Sequence, residues 1–291
     1  TKKEIKHAKH QMHFLLKKLK IRLEVEKSNI RLYAGLAIVR AAIATSGHGS
    51  RPSAYIEEVD ECDEPDYRVI AYMHEGMGKY KICSTLDNRP LVEQTVGFTS
   101  TSAMALVRRL EHIAQWELVN QLQNPATQIS NGAVELEILM SERNRTNGEW
   151  SDFKKVELNN GVLDLPYYEY EDKDENGQKV MYSSPEIKIR VNNHSESEYF
   201  VSLYYLGSDF SCTNDLLQKF NIKPLQKGVA ALEDSAINPK VPDDLVNLGV
   251  SEDKAILKLL VSTDDFNAEA YNMEGLGYAK SMRALARSQR K

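Results

Sequence analysis

Cysteine is scarce in these 291 residues, and that scarcity excludes a good deal. Only Cys62, Cys83 and Cys212 are present, an odd number at no ligand-like spacing, so no disulfide frame is readable. They read as reduced thiols of a cytosolic protein. No apolar run approaches the ~20 residues that span a bilayer. The Lys- and His-rich start lacks the apolar stretch of a secretory signal. Gly-rich phosphate loops are missing, since Gly76 and Gly78 sit in a turn with no helix after it. There is no serine nucleophile elbow, no internal repeat and no low-complexity tract. A net charge of -5 provides no general attraction for nucleic acid or an anionic membrane.

What is present suffices for a packed core. Hydrophobic residues make up 42% and charged residues 27%, ordinary values for a globular chain. The length suits two packed units or one large domain. Basic charge gathers at both ends, in the first twenty residues and in Lys280, Arg283, Arg287, Arg290 and Lys291. Thr1 in place of Met suits a fragment or a processed product.

Periodicity predicts an amphipathic helix over 3–20, with Ile5, Met12, Leu15, Leu16 and Leu19 as its stripe. The clean alternation of 21–26 predicts a strand, and the Ala-rich run 30–44 a helix. Ser46 to Pro52 is a loop by composition. Short strands are expected at Ala54–Val59, Tyr67–Tyr72 and Lys79–Ser84. Residues 100–123 form the strongest helical pattern, capped by Ser100, Thr101 or Ser102 and stopped by Asn124-Pro125. Its stripe is Met104, Val107, Leu110, Ile113, Ala114 and Leu118. Beyond it the texture turns to strands at 134–140, 187–191, 198–206 and 255–262, separated by Gly, Asn and Asp. The expected fold class is α+β. Residues 1–123 form a small α/β unit with a long amphipathic helix, 131–268 an antiparallel β-sandwich-like domain, and 269–291 a basic C-terminal tail.

Four constellations invite chemistry. Asp172-Lys173-Asp174-Glu175-Asn176-Gly177 begins like a calcium loop, but the twelfth position, where a bidentate Glu belongs, is Ser183. Its flanks also look like strands, so an acidic hairpin tip is the better reading. His7, His10 and His13 share a helical face, yet their Lys neighbours repel a cation, which favours a solvated basic face over a metal site. Tyr167, Tyr168 and Tyr170 lie in an acidic stretch that suits protein contacts or packing, not nucleic-acid stacking. Ser46-Gly47-His48-Gly49 is the tetrapeptide that surrounds the catalytic histidine of caspase-like cysteine peptidases, and Cys62 follows within Asp60-Glu61-Cys62-Asp63. Only 14 positions separate His48 from Cys62, too few for the usual strand–helix–strand spacing. The acidic neighbours of Cys62 also disfavour its thiolate.

Several segments carry a resemblance. They are Asp66-Tyr67-Arg68-Val69-Ile70-Ala71, Tyr80-Lys81-Ile82, Asn88-Arg89-Pro90-Leu91-Val92, Tyr199–Leu206 and Leu257–Phe266. The most specific is Leu110-Glu111-His112-Ile113-Ala114-Gln115-Trp116 leading to Leu122-Gln123-Asn124-Pro125. Together they resemble the non-catalytic C-terminal region of large bacterial caspase-family proteins. The resemblance implies a peptidase domain upstream that supplies the His–Cys dyad. This stretch would then be a cytoplasmic accessory or regulatory module that binds a protein partner or another domain of the same polypeptide. It also implies that the match at His48 is coincidental. No cofactor, metal, membrane or nucleic-acid partner is expected. Two alternatives stand beside it: a cysteine peptidase in its own right, with His48 as base and Cys62 or Cys83 as nucleophile, or a non-enzymatic effector or structural protein processed by a partner protease.

Overall fold

Alternating apolar residues start the first sheet. Leu19, Ile21, Leu23 and Val25 face a common core from β1 (Leu19–Val25), while Lys20, Arg22 and Glu24 face away. The computed structural model describes residues 18–85, 90–92, 95–124, 127–144, 149–165, 169–173, 179–183, 185–216, 224–227, 230–232, 239, 241–242, 245–246 and 252–277. The helix predicted over 3–20 therefore lies mostly outside the described residues, and its last two positions belong to β1.

After β1 come α1 (Ile30–Thr45), β2 (Ile56–Glu58), β3 (Tyr67–His74), β4 (Met77–Ser84), β5 (Thr95–Val96) and α2 (Ser100–Gln121). The strands make one sheet in the order β2-β1-β3-β4-β5, with β1 parallel to both β2 and β3 and the rest antiparallel. β2 pairs with Leu19–Ile21 and β3 with Ile21–Val25. This stagger lets a short connection, 59–66, pass from one side of β1 to the other. α1 buries Leu32, Gly35, Leu36, Val39 and Ala42, the spacing of one helical face. Asn29 caps it by accepting from the Arg31 amide. α2 is capped by Thr99, one residue before the predicted candidates, because the Thr99 hydroxyl accepts from the Ser102 amide at 3.1 Å. Both helices share a core with the same sheet face, so this unit has two layers.

The second half contains β6 (Val134–Ser141), β7 (Lys154–Lys155), β8 (Glu169–Lys173), β9 (Lys179–Ser183) and β10 (Glu186–Asn193). It continues with β11 (Tyr199–Leu206), β12 (Cys212–Thr213), β13 (Pro224–Leu225), β14 (Ala230–Leu232) and β15 (Ile256–Ser262). One sheet runs β14-β10-β6-β7. In a second, β11 pairs with β12 and β13 and, along its length, with β15. β8 and β9 form a separate hairpin. All these pairings are antiparallel.

β10 buries alternate residues, Ile187, Ile189 and Val191, and turns Lys188 and Arg190 outward. β11 differs because it is covered on both faces. Tyr199 and Val201 join Val191, Leu136, Leu259 and Val261, whereas Tyr204 and Leu206 join the core of the first unit. That double burial explains why YFVSLYYL reads as a nearly continuous apolar run. The chain is therefore a mixed α/β protein whose sheets are mostly antiparallel. The second half also extends beyond the predicted limit at 268: Ala268–Tyr271 forms a 3₁₀ turn, and Met273 pairs with Cys212. Residues 269–277 are thus packed structure, and 278–291 lie outside the described residues.

Candidate functional site

α2 carries a series of polar side chains tied to other elements of the fold. The Glu111 carboxylate accepts from the Ser53 hydroxyl at 2.8 Å and from the Ser46 hydroxyl at 3.2 Å. One residue along, His112 Nε2 lies 2.9 Å from the Phe210 carbonyl. Trp116 Nε1 donates to the Ser211 carbonyl at 3.0 Å, and Glu117 accepts from the Tyr67 hydroxyl at 2.8 Å. Burial, reinforced by the Glu117 charge, raises the Tyr67 hydroxyl above its ordinary pKa. Glu111 thus anchors the loop after α1, Glu117 holds β3, and His112 and Trp116 hold the turn joining β11 to β12.

That turn, Gly207 to Ser211, inserts a plug. Phe210 has φ of 63°, a left-handed conformation that bulky side chains rarely adopt. Its ring is buried edge-to-face against Trp116 at 5.5 Å and Tyr67 at 6.2 Å. The turn is set by Asp209, whose carboxylate accepts from the Ser211 amide at 3.0 Å. Asp209 also lies so close to Gly275 that a Cβ there would come within 1.9 Å of its oxygen. Lys258 Nζ donates to the Asn120 carbonyl near the end of α2, a favourable place for a cation. The backbone strain at Phe210 is held by packing from two units.

The predicted site residues lie elsewhere. His48 is exposed in the turn between α1 and β2, where Gly47 pairs with Arg51 and Gly49 and Ser50 both have positive φ. Cys62 is exposed on the other side of β2, in the connection that crosses β1. Among the described residues no hydrogen bond joins the two. Cys83 is fully buried on β4, beside the bridge to Pro90. His7, His10 and His13 lie outside the described residues, as do Tyr167, Tyr168 and the tip of the β8–β9 hairpin, Asp174 to Gln178. Its flanks are strands, as the sequence suggested. Among the described residues no cluster of three His, Cys, Asp or Glu side chains is arranged to hold a metal, and no helix is long and apolar enough to cross a membrane.

Sequence reasoning missed Phe210, whose composition gives no sign of a left-handed backbone. It also missed Arg22, whose guanidinium donates to the carbonyls of Asp60, Glu61 and Asp63 and pins the crossing connection to β1. Comparison with protein-family models, curated proteins and solved structures finds no match to this chain.

Proposed function

We propose that this chain is a cytoplasmic accessory module of a bacterial caspase-like cysteine peptidase, with the protease active site outside this stretch. It would act through protein contacts, regulating or positioning a neighbouring domain or partner. One observation carries the reading: polar atoms of the most family-like segment, on Glu111, His112 and Trp116, and of the adjoining Glu117 are engaged in joining elements to one another. A helix so engaged braces a second, sandwich-like layer against the α/β layer, and the small core shared by Val191, Tyr199 and Val201 supports that view of the second half. His48 and Cys62 lie before and after β2 with no hydrogen bond between them among the described residues, which lends no support to a nucleophile–base pair.

The test has two arms. A thiol-reactive peptide probe should leave the chain unlabelled beyond the background removed by Cys62→Ser. Sequencing the reading frame upstream of the Thr1 codon should reveal a peptidase domain. Specific labelling at Cys62 or Cys83 that depends on His48, or the lack of a peptidase domain upstream, would overturn the proposal.

A further inference from the structure

A sheet edge offers backbone groups to any strand that can reach it, and folded proteins usually blunt such edges. Most edges here are blunted by shortness. β2 and β14 have three residues each, and β5 and β7 have two. β15 differs. It has seven residues, contains no Pro or Gly, and pairs along one side with β11 from Ile256 to Ser262. Among the described residues no strand pairs with its other side. Its side chains stay partly exposed throughout, and Ile256 is 39% exposed. Its one charge, on Lys258, is drawn onto the Asn120 carbonyl and does not guard the edge.

We propose that β15 is a self-association edge, where a second copy of this chain adds its own β15 antiparallel about a twofold axis at Leu259. The sequence fits that register. Leu257 faces Val261 of the copy on the side that packs against β6 and β10. On the opposite side Ile256 faces Ser262, and Lys258 faces Leu260, so the two lysines do not meet. The product is a continuous β11-β15-β15-β11 sheet in which main-chain hydrogen bonds supply the affinity. This inference does not depend on the caspase-like reading.

Sedimentation of the native chain at concentrations on the order of 100 μM should show a reversible dimer. Ile256→Lys with Ser262→Lys puts like charges opposite each other at both ends and should weaken the dimer about tenfold or more. Ile256→Lys with Ser262→Glu should restore it. Ile256 is exposed and Ser262 half-buried at the two ends of the strand, so circular dichroism should show the fold retained. In a Cys62→Ser background, Ile256→Cys with Ser262→Cys should oxidise to a covalent dimer. Within one chain the two sites are roughly 20 Å apart, too far for a disulfide. A monomeric native chain, a dimer indifferent to the double-lysine change, or the failure of the paired cysteines to link would overturn the proposal. If the double-lysine variant loses its fold, the cysteine pair decides the question.

Discussion

Phe210, Glu111 and Cys212 show how single side chains act here. Ser53 is buried, so truncating its acceptor strands a hydroxyl. Glu111→Ala should therefore cost about 1–3 kcal/mol in denaturant melts, whereas Glu111→Gln, which keeps an acceptor oxygen, should cost less than half of that. Gly47→Ala should cost a similar amount, because the new Cβ would come within 2.5 Å of the Pro52 carbonyl oxygen, and backbone cannot easily move aside. Burial pushes the Cys212 thiol up to about 11. An unfolded cysteine ionises near pH ~8.5, so the folded state keeps a proton that the unfolded state gives up. This contribution is complete below that pH and is lost as pH rises toward the folded value. Stability should accordingly fall between pH 9 and 11, and Cys212→Ala should flatten the decline. The same sign holds at higher pH for Tyr80 and Tyr204, which burial raises to about 12.

Among elements, the connection between β2 and β3 is the most exposed to test. It runs past five acidic residues, Asp60, Glu61, Asp63, Glu64 and Asp66, and is held to β1 by the Arg22 guanidinium. The same face of the sheet is laced by Glu24 with Arg68 at 3.6 Å and Glu26 with Lys81 at 3.1 Å, and Lys81 also lies over the Tyr72 ring. Such partly exposed pairs contribute little each. Arg22→Ala should thus change global stability by only about 1 kcal/mol while loosening the connection. Cleavage after Glu61 by a glutamate-specific protease should accelerate several-fold, and equal cleavage rates would argue against the clamp.

At the scale of the whole molecule, the decisive feature is that one core spans both halves. Tyr204, Leu206, Phe210 and Cys212 from the second half pack with Leu110, Ile113 and Trp116 and with the first sheet. The native chain should unfold in a single calorimetric transition. Phe210→Ala opens a cavity at the junction and should remove about 3–5 kcal/mol, separating the transition into two. A single sharp transition in that variant would mean that the remaining contacts couple the halves unaided.

Local pattern alone determined much of this protein. The 3.6-residue stripe of 100–123 and the Ala-rich run 30–44 placed α2 and α1 within two residues of their ends, and period-two alternation placed β1, β6 and β10, because those periods are set by backbone geometry and one-sided burial. The cap fell one residue early because Thr99, Ser100, Thr101 and Ser102 are chemically equivalent candidates, and only the backbone at Thr99 is extended. Other features had no local signature. Which residues meet across 98 positions, as His112 and Phe210 do, depends on how sheets stack. Only the tertiary structure decided that β11 is buried on both faces, that 269–277 pack on β12, that Phe210 is held left-handed, and that His48 and Cys62 are not joined. Strain of that kind persists only when contacts distant in sequence outweigh its local cost, so the amino-acid order near Phe210 could not reveal it.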